Sequence, residues 1–183
     1  TIIVQLLLAL MALHGNHLPA ATLSLVLVGT TAGFLLYNFP PASIFMGDAG
    51  GLFLGFITGS LSALLSHSFS QAGAPIPYLL APLAILMVPI YDLISVILIR
   101  LGKGIPPWIG DNNHISHRLV RLGLSRRFAV QVIYLLTLLT GLPALFLLRT
   151  QSWIAWSLLF LTPIFASIMA LFDLAAHRRH PPP

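Results

Sequence analysis

The stretch IFMGDAGGLFLGFITGSLSALLS, residues 44–66, decides the fold of this chain. From Ala49 to Ser66 no side chain is charged, and a helix of about 20 apolar residues is what the hydrocarbon core of a bilayer requires. Its small residues (Gly50, Gly51, Gly55, Gly59 and Ser60) suit the close helix packing found in lipid. At the edge of this run stands Asp48, one of four acidic residues in the chain. A carboxylate is costly beside a membrane-length apolar segment unless it has something to hold.

The rest of the sequence agrees with that reading. Of its 183 residues 57% are hydrophobic and 7% charged, where soluble domains carry about 25% charged residues. Mean hydropathy is +0.95. A water-soluble globule is excluded, and the expected class is an all-α, polytopic transmembrane helical bundle. No cysteine is present, which removes disulfides and thiol nucleophiles from consideration.

About six spans are expected: 1–13, 20–39, 44–66, 78–101, 128–148 and 153–171. The first, TIIVQLLLALMAL, is too short to cross alone and has neither a basic leader nor a cleavage site. It reads as a span whose start is missing, so the chain is expected to be a C-terminal fragment of a larger bundle. Residues 1–175 form the transmembrane domain in this reading, with a polar loop at 102–127. The basic, proline-rich tail 176–183 is expected to be disordered.

Net charge is +5, but its distribution points to membrane topology and not to nucleic acid. Arg100, Lys103, Arg118, Arg121, Arg126 and Arg127 cluster in and beside the loop 102–127. Placing that loop in the cytoplasm puts Arg178 and Arg179 on the same side and leaves Arg149 outside, as the positive-inside rule favours. Alternation then brings Asp48 to the cytoplasmic face with the loop. His14, His17 and His67 fall in outer loops.

Three polar features remain as candidates for chemistry. Asp48, flanked by Gly47 and Gly50, could be a Mg²⁺ ligand, since Mg²⁺ commonly takes one or two carboxylates plus substrate phosphates. It could equally be a helix cap. Asp111, His114, His117 and Arg118 follow one another at intervals of three, three and one. If helical, His114, His117 and Arg118 share a face. Such a set suits a diphosphate through charge-assisted hydrogen bonds, a zinc set lacks a third nitrogen or sulfur ligand, and the bland alternative is a solvated basic loop. Asp92 lies about nine residues inside the fourth span, roughly 13 Å deep at 1.5 Å per residue. A structural role is expected for it, paired with a donor such as Asn38 or a backbone amide near Pro89.

GFLLYNFPPASIFMGDAGGLFLGF (33–56), VPIYDLISVILIR (88–100) and DNNHISHRL (111–119) together resemble the polyprenyl-phosphate N-acetylhexosamine-1-phosphate transferases. That family includes the undecaprenyl-phosphate GlcNAc-1-phosphate and phospho-MurNAc-pentapeptide transferases; the resemblance is stronger to the branch acting on simple UDP-HexNAc. It implies transfer of a HexNAc-1-phosphate from a UDP-sugar to polyprenyl phosphate, releasing UMP, for cell-wall or lipopolysaccharide assembly. The site would lie on the cytoplasmic face of the inner (plasma) membrane. Asp48 matches the family's metal-binding aspartate, with Mg²⁺ as cofactor and Mn²⁺ as alternative. His114 and His117 match its catalytic histidine loop, and Asn38, Lys103, Asp111, Ser116 and Arg118 are expected at the substrates. A homodimer is compatible with this reading.

Two departures stand out: HISH replaces the usual H-I-H-H, so Ser116 carries no charge, and Gly51 replaces a common serine. Family members also have ten or eleven spans and a paired aspartate motif in their N-terminal half. This chain shows neither, so alone it is expected to be inactive. The competing classes are an ion-coupled transporter or channel subunit using Asp48 and Asp92, and a non-catalytic membrane scaffold.

Overall fold

The computed structural model describes residues 1–39, 41–106, 108–109, 113–147 and, singly, 156, 160, 164 and 167. Among them every regular element is a helix: α1 (Ile2–His14), α2 (Leu18–Asn38), α3 (Gly47–Gln71), α4 (Ile76–Ile85), α5 (Met87–Gly102), α6 (Ile115–Arg121) and α7 (Arg126–Leu147). The all-α membrane bundle expected from hydropathy is what forms. The span count differs: α2, α3 and α7 are each long and apolar enough to cross a bilayer, and α4 with α5 makes a fourth if the bent pair is one span. Helix α1 is apolar but only 13 residues long. The expected sixth span, 153–171, falls largely outside the described residues, as does the tail.

The fourth span, expected over 78–101, is broken at Leu86, with α4 and α5 bent by 67°. Its cause is visible in the prolines. Pro89 has no N–H to continue the ladder, and its ring crowds the carbonyl four residues back, at Ile85. Leu86 takes up the turn at φ −88°, ψ 5° and donates its N–H to the Pro82 carbonyl. The third helix is also longer than expected and runs to Gln71, so His67 lies on a helix and not in a loop.

Helix α1 runs parallel to α3. Gln5 Nε2 donates to Thr58 Oγ1 at 2.7 Å, and ten residues on, a Cβ at Gly15 would lie 3.1 Å from the Phe69 ring. Ser66 Oγ donates to the Leu79 carbonyl at 2.8 Å, tying the C-terminal part of α3 to the start of α4. Helix α7 passes the α4–α5 junction against the chain direction: Gly141 abuts Ile85 at the end of α4, and Leu136, earlier in α7, shares a cluster with Val88 at the start of α5.

The main core is built from Val4, Leu7, Leu8 and Met11 of α1 against Leu61 and Leu65 of α3 and Ala81 and Ile85 of α4. A second cluster joins Val88, Ile115 and Leu136, with Tyr91, Leu119, Val132 and Ile133 packed on it. This smaller cluster docks α6 onto α5 and α7.

At Gly141 a Cβ would collide with Leu7 Cδ1 and lie 3.6 Å from Ile85 Cα. Overpacking a closed site costs about 1–3 kcal/mol. Gly141→Val is therefore expected to lower the unfolding midpoint of the chain in detergent micelles. Gly59→Val, where a Cβ meets open space, should leave the midpoint close to wild type.

Candidate active site

The contacts fix which features share an end of the bundle. The turn joining α3 to α4, residues 72–75, lies at one end, and Asp48 begins the 25-residue α3 at the other. Helix α4 runs away from that turn, and α7 runs back towards it from Arg126. The α6 segment, packed beside the first half of α7, therefore lies towards the Asp48 end. Asp48 and the histidine segment are both remote from the 72–75 turn.

Asp48 sits in the first turn of α3, exposed. The capping residue is Met46, with no side-chain cap bond, so a hydrogen-bonded cap is not what Asp48 forms. Its charge still complements the helix N-terminus. Gly47 has φ +68°, a left-handed conformation that glycine adopts at least cost, and it sets the entry into the helix. Gly50 has a different reason: a Cβ there would collide with Met46 Cγ. Met46 itself packs on the core, so Gly50 lets the turn close over its own chain. Asn38, expected near the substrates or Asp92, donates from Nδ2 to the Ile44 carbonyl at 2.8 Å and pins the connection that leads to Asp48.

Asp92 is where the structure adds most. Its Oδ1 accepts from the Ile115 N–H at 2.6 Å, and its Oδ2 lies 2.8 Å from His114 Nδ1. His114 caps α6 by position but makes no side-chain cap bond, so a carboxylate from a different helix meets the first N–H of α6. The partners suggested from sequence were Asn38 or a backbone amide near Pro89; the structure supplies instead the His114 ring and the backbone amide of Ile115. The loop reaches Asp92 through α6, which packs against α5 and α7.

Arg118 and His117 separate. His114 precedes α6 as its N-cap, and on the helix His117 and Arg118 meet different surroundings, so the three do not form the shared face expected from spacing. His117 is exposed, whereas Arg118 is only 5% exposed. Its Nη1 donates to Ser95 Oγ at 2.9 Å, Nη2 lies 4.0 Å from Asp92 Oδ1, and the guanidinium lies 5.8 Å from the Tyr91 ring centroid. Arg121 donates to Asn113 Oδ1 at 3.0 Å. Lys103 follows the end of α5 and is exposed, and Ser116 is half-buried on α6. Asp111 lies outside the described residues.

Among the described residues no three His, Asp, Glu or Cys side chains converge as a metal cage. One exposed carboxylate at a glycine-shaped turn is nevertheless the donor type a hydrated Mg²⁺ uses when phosphates complete its shell. The arrangement offers a carboxylate for a hard cation at one place and, on the same end of the bundle, a half-exposed imidazole backed by a carboxylate.

Residues 1–66 match the family model for glycosyl transferase family 4. The chain is 40% identical over 162 residues to a probable undecaprenyl-phosphate N-acetylglucosaminyl 1-phosphate transferase of Bacillus subtilis, covering 88% of this chain and 44% of that protein. It is 37% identical over 132 residues to the decaprenyl-phosphate N-acetylglucosaminephosphotransferase of Mycolicibacterium smegmatis, covering 67% of this chain and 32% of the relative. A third relative is the undecaprenyl-phosphate alpha-N-acetylglucosaminyl 1-phosphate transferase of Haemophilus influenzae, 31% identical over 64% of this chain and 34% of its own length. The chain thus spans less than half the length of these curated relatives. No solved structure matches it at a significant level.

Proposed function

The chain belongs to the polyprenyl-phosphate N-acetylhexosamine-1-phosphate transferase family, and from that premise we propose that it carries part of the site where a UDP-HexNAc and a polyprenyl phosphate react. The protein would act at the cytoplasmic face of the inner (plasma) membrane and supply a lipid-linked sugar for cell-envelope glycans. The observation that carries this reading is the placement of the exposed Asp48 turn and the His114–His117 segment towards one end of one bundle.

In the reaction, an oxygen of the lipid phosphate forms a bond to the β-phosphorus of the UDP-sugar. The bond from that phosphorus to the bridging oxygen breaks, and its electron pair leaves with UMP. Two phosphorylated substrates bring several negative charges together, and positioning and charge neutralisation are the main needs of such a transfer. Mg²⁺, or Mn²⁺ in its place, would be held by Asp48 and would neutralise the diphosphate. His114 and His117 would face the reacting phosphates, while Lys103, Ser116 and Asp111 would complete the polar wall. Arg118, turned inward, supports that wall from behind.

The ion-path alternative needs Asp92 available to a passing cation, and Asp92 is instead bonded to His114 and Ile115. The transferase reading uses that contact. Membranes carrying the product of the whole reading frame are expected to release UMP from UDP-GlcNAc only when polyprenyl phosphate and Mg²⁺ are both supplied. Absence of release with all components present, under conditions where a relative turns over, would overturn the proposal.

A further inference from the structure

We propose that Asp92 is a positioning residue for His114, and that the pair presents the outward ring nitrogen, Nε2, as acceptor for the proton of a phosphate monoester hydroxyl as its oxygen attacks. This inference rests on the transferase reading and adds to it the group that receives that proton.

An ionised carboxylate only accepts hydrogen bonds. The 2.8 Å contact between Asp92 Oδ2 and His114 Nδ1 therefore places the ring proton on Nδ1. In the neutral imidazole the lone pair is then on Nε2, the nitrogen away from Asp92. The His114 side chain is 51% exposed while that of Asp92 is 20% exposed, so the ring is held from the protein side and open on the other. Asp92 also fixes the place from which the ring projects, because Oδ1 accepts from the backbone N–H of Ile115, the next residue. Two bonds from one carboxylate to consecutive residues set both the position and the tautomer of the imidazole. Arg118 Nη2 lies 4.0 Å from Oδ1 on the inner side.

The substrate class follows from the chemistry. A phosphate monoester retains one hydroxyl proton in its monoanion, and that proton must go somewhere when the oxygen becomes a bridging diphosphate oxygen. In the proposed step the proton moves from this hydroxyl to Nε2, the oxygen bonds to the β-phosphorus, and the bridging bond to UMP breaks with its electron pair. Atoms and charge balance without another reactant. A base oriented by a carboxylate on its other nitrogen is a recurrent way to hold the required tautomer.

Asp92→Asn separates the two roles of the carboxylate. The amide oxygen can still accept from Ile115, but the amide nitrogen donates to Nδ1 and moves the ring proton to Nε2. In the ¹⁵N spectrum of histidine-labelled protein in lipid nanodiscs, with His114 assigned by its loss in His114→Gln, the ring is expected to switch from the Nδ1–H to the Nε2–H pattern. With the whole reading frame's product, kcat for UMP release should fall on the order of 10²-fold, with KM for UDP-GlcNAc within about threefold. His114→Gln should lose a similar factor, and adding Asp92→Asn to it should lose little more. Asp92→Glu should restore the Nδ1–H pattern and part of kcat.

An unchanged ring pattern in Asp92→Asn, or full additivity of the two losses, would overturn the proposal. The expected ring switch in Asp92→Asn, with no turnover in the wild-type protein, would support the oriented dyad and count against the transferase reading instead.

Discussion

In the product of the whole reading frame, Asp48→Asn is expected to reduce UMP release by about three orders of magnitude if Asp48 holds Mg²⁺ as proposed, since loss of a metal-held charge from phosphoryl transfer costs several kcal/mol of transition-state stabilisation, and each 1.36 kcal/mol is tenfold in rate. The substitution is nearly isosteric. Asp48 is exposed in the first turn of α3 and makes no side-chain cap bond, so folding should lose no more than the charge–dipole contribution, about 0.3–1 kcal/mol. A normal unfolding midpoint with turnover lost is therefore the expected pair of results. The Mg²⁺ dependence of any residual activity should also weaken, because the asparagine oxygen is a neutral and poorer ligand for a hard cation. Asp48→Glu keeps the charge but moves it by one methylene, and should recover only part of the rate. Turnover in Asp48→Asn within a few fold of wild type would mean that the carboxylate serves only the helix end.

Much of this was readable in the sequence for physical reasons that differ by residue. The apolar runs that became α2, α3 and α7 are set by the hydrocarbon thickness, a one-dimensional constraint that composition reports directly. Asp48 stood out because a charge beside such a run is rare. The break at Leu86 was present as Pro82 and Pro89, but a 24-residue apolar stretch satisfies the length rule whether straight or bent. Proline is tolerated in membrane helices when neighbours meet the freed backbone groups, so its presence did not say which outcome would hold. The Asp92 contacts were not legible. They join residues 22 and 23 positions apart, and they depend on how α6 packs against α5, which no local pattern reports. Arg118 shows the same limit from the other side. Its place in a polar loop suggested a substrate contact, and the partners that turn it inward, Ser95 and Tyr91, lie on a different helix.

That inward turn makes Arg118 the second site of large expected effect, and the nature of the effect distinguishes a support from a contact. Arg118→Ala removes a buried guanidinium that bonds Ser95, stacks near Tyr91 and stands 4.0 Å from Asp92. Loss of the charge-assisted hydrogen bond from the buried guanidinium costs about 1.5–3 kcal/mol, large beside what a seven-residue helix supplies for itself, because short helices owe their stability to packing. The Ile115–Arg121 helix should open more often as a result. At 1.4 kcal/mol per factor of ten, amide hydrogen exchange over residues 115–121 is expected to accelerate by about 10- to 10²-fold, while exchange in α3 stays unchanged. Turnover should fall in parallel, because His114 and His117 lose their platform. Arg118→Lys should land between, since an ammonium keeps the charge but cannot reproduce the planar contact with Tyr91 while reaching Ser95. Loss of turnover with unaltered exchange would reverse the assignment and return Arg118 to the substrate side of the segment.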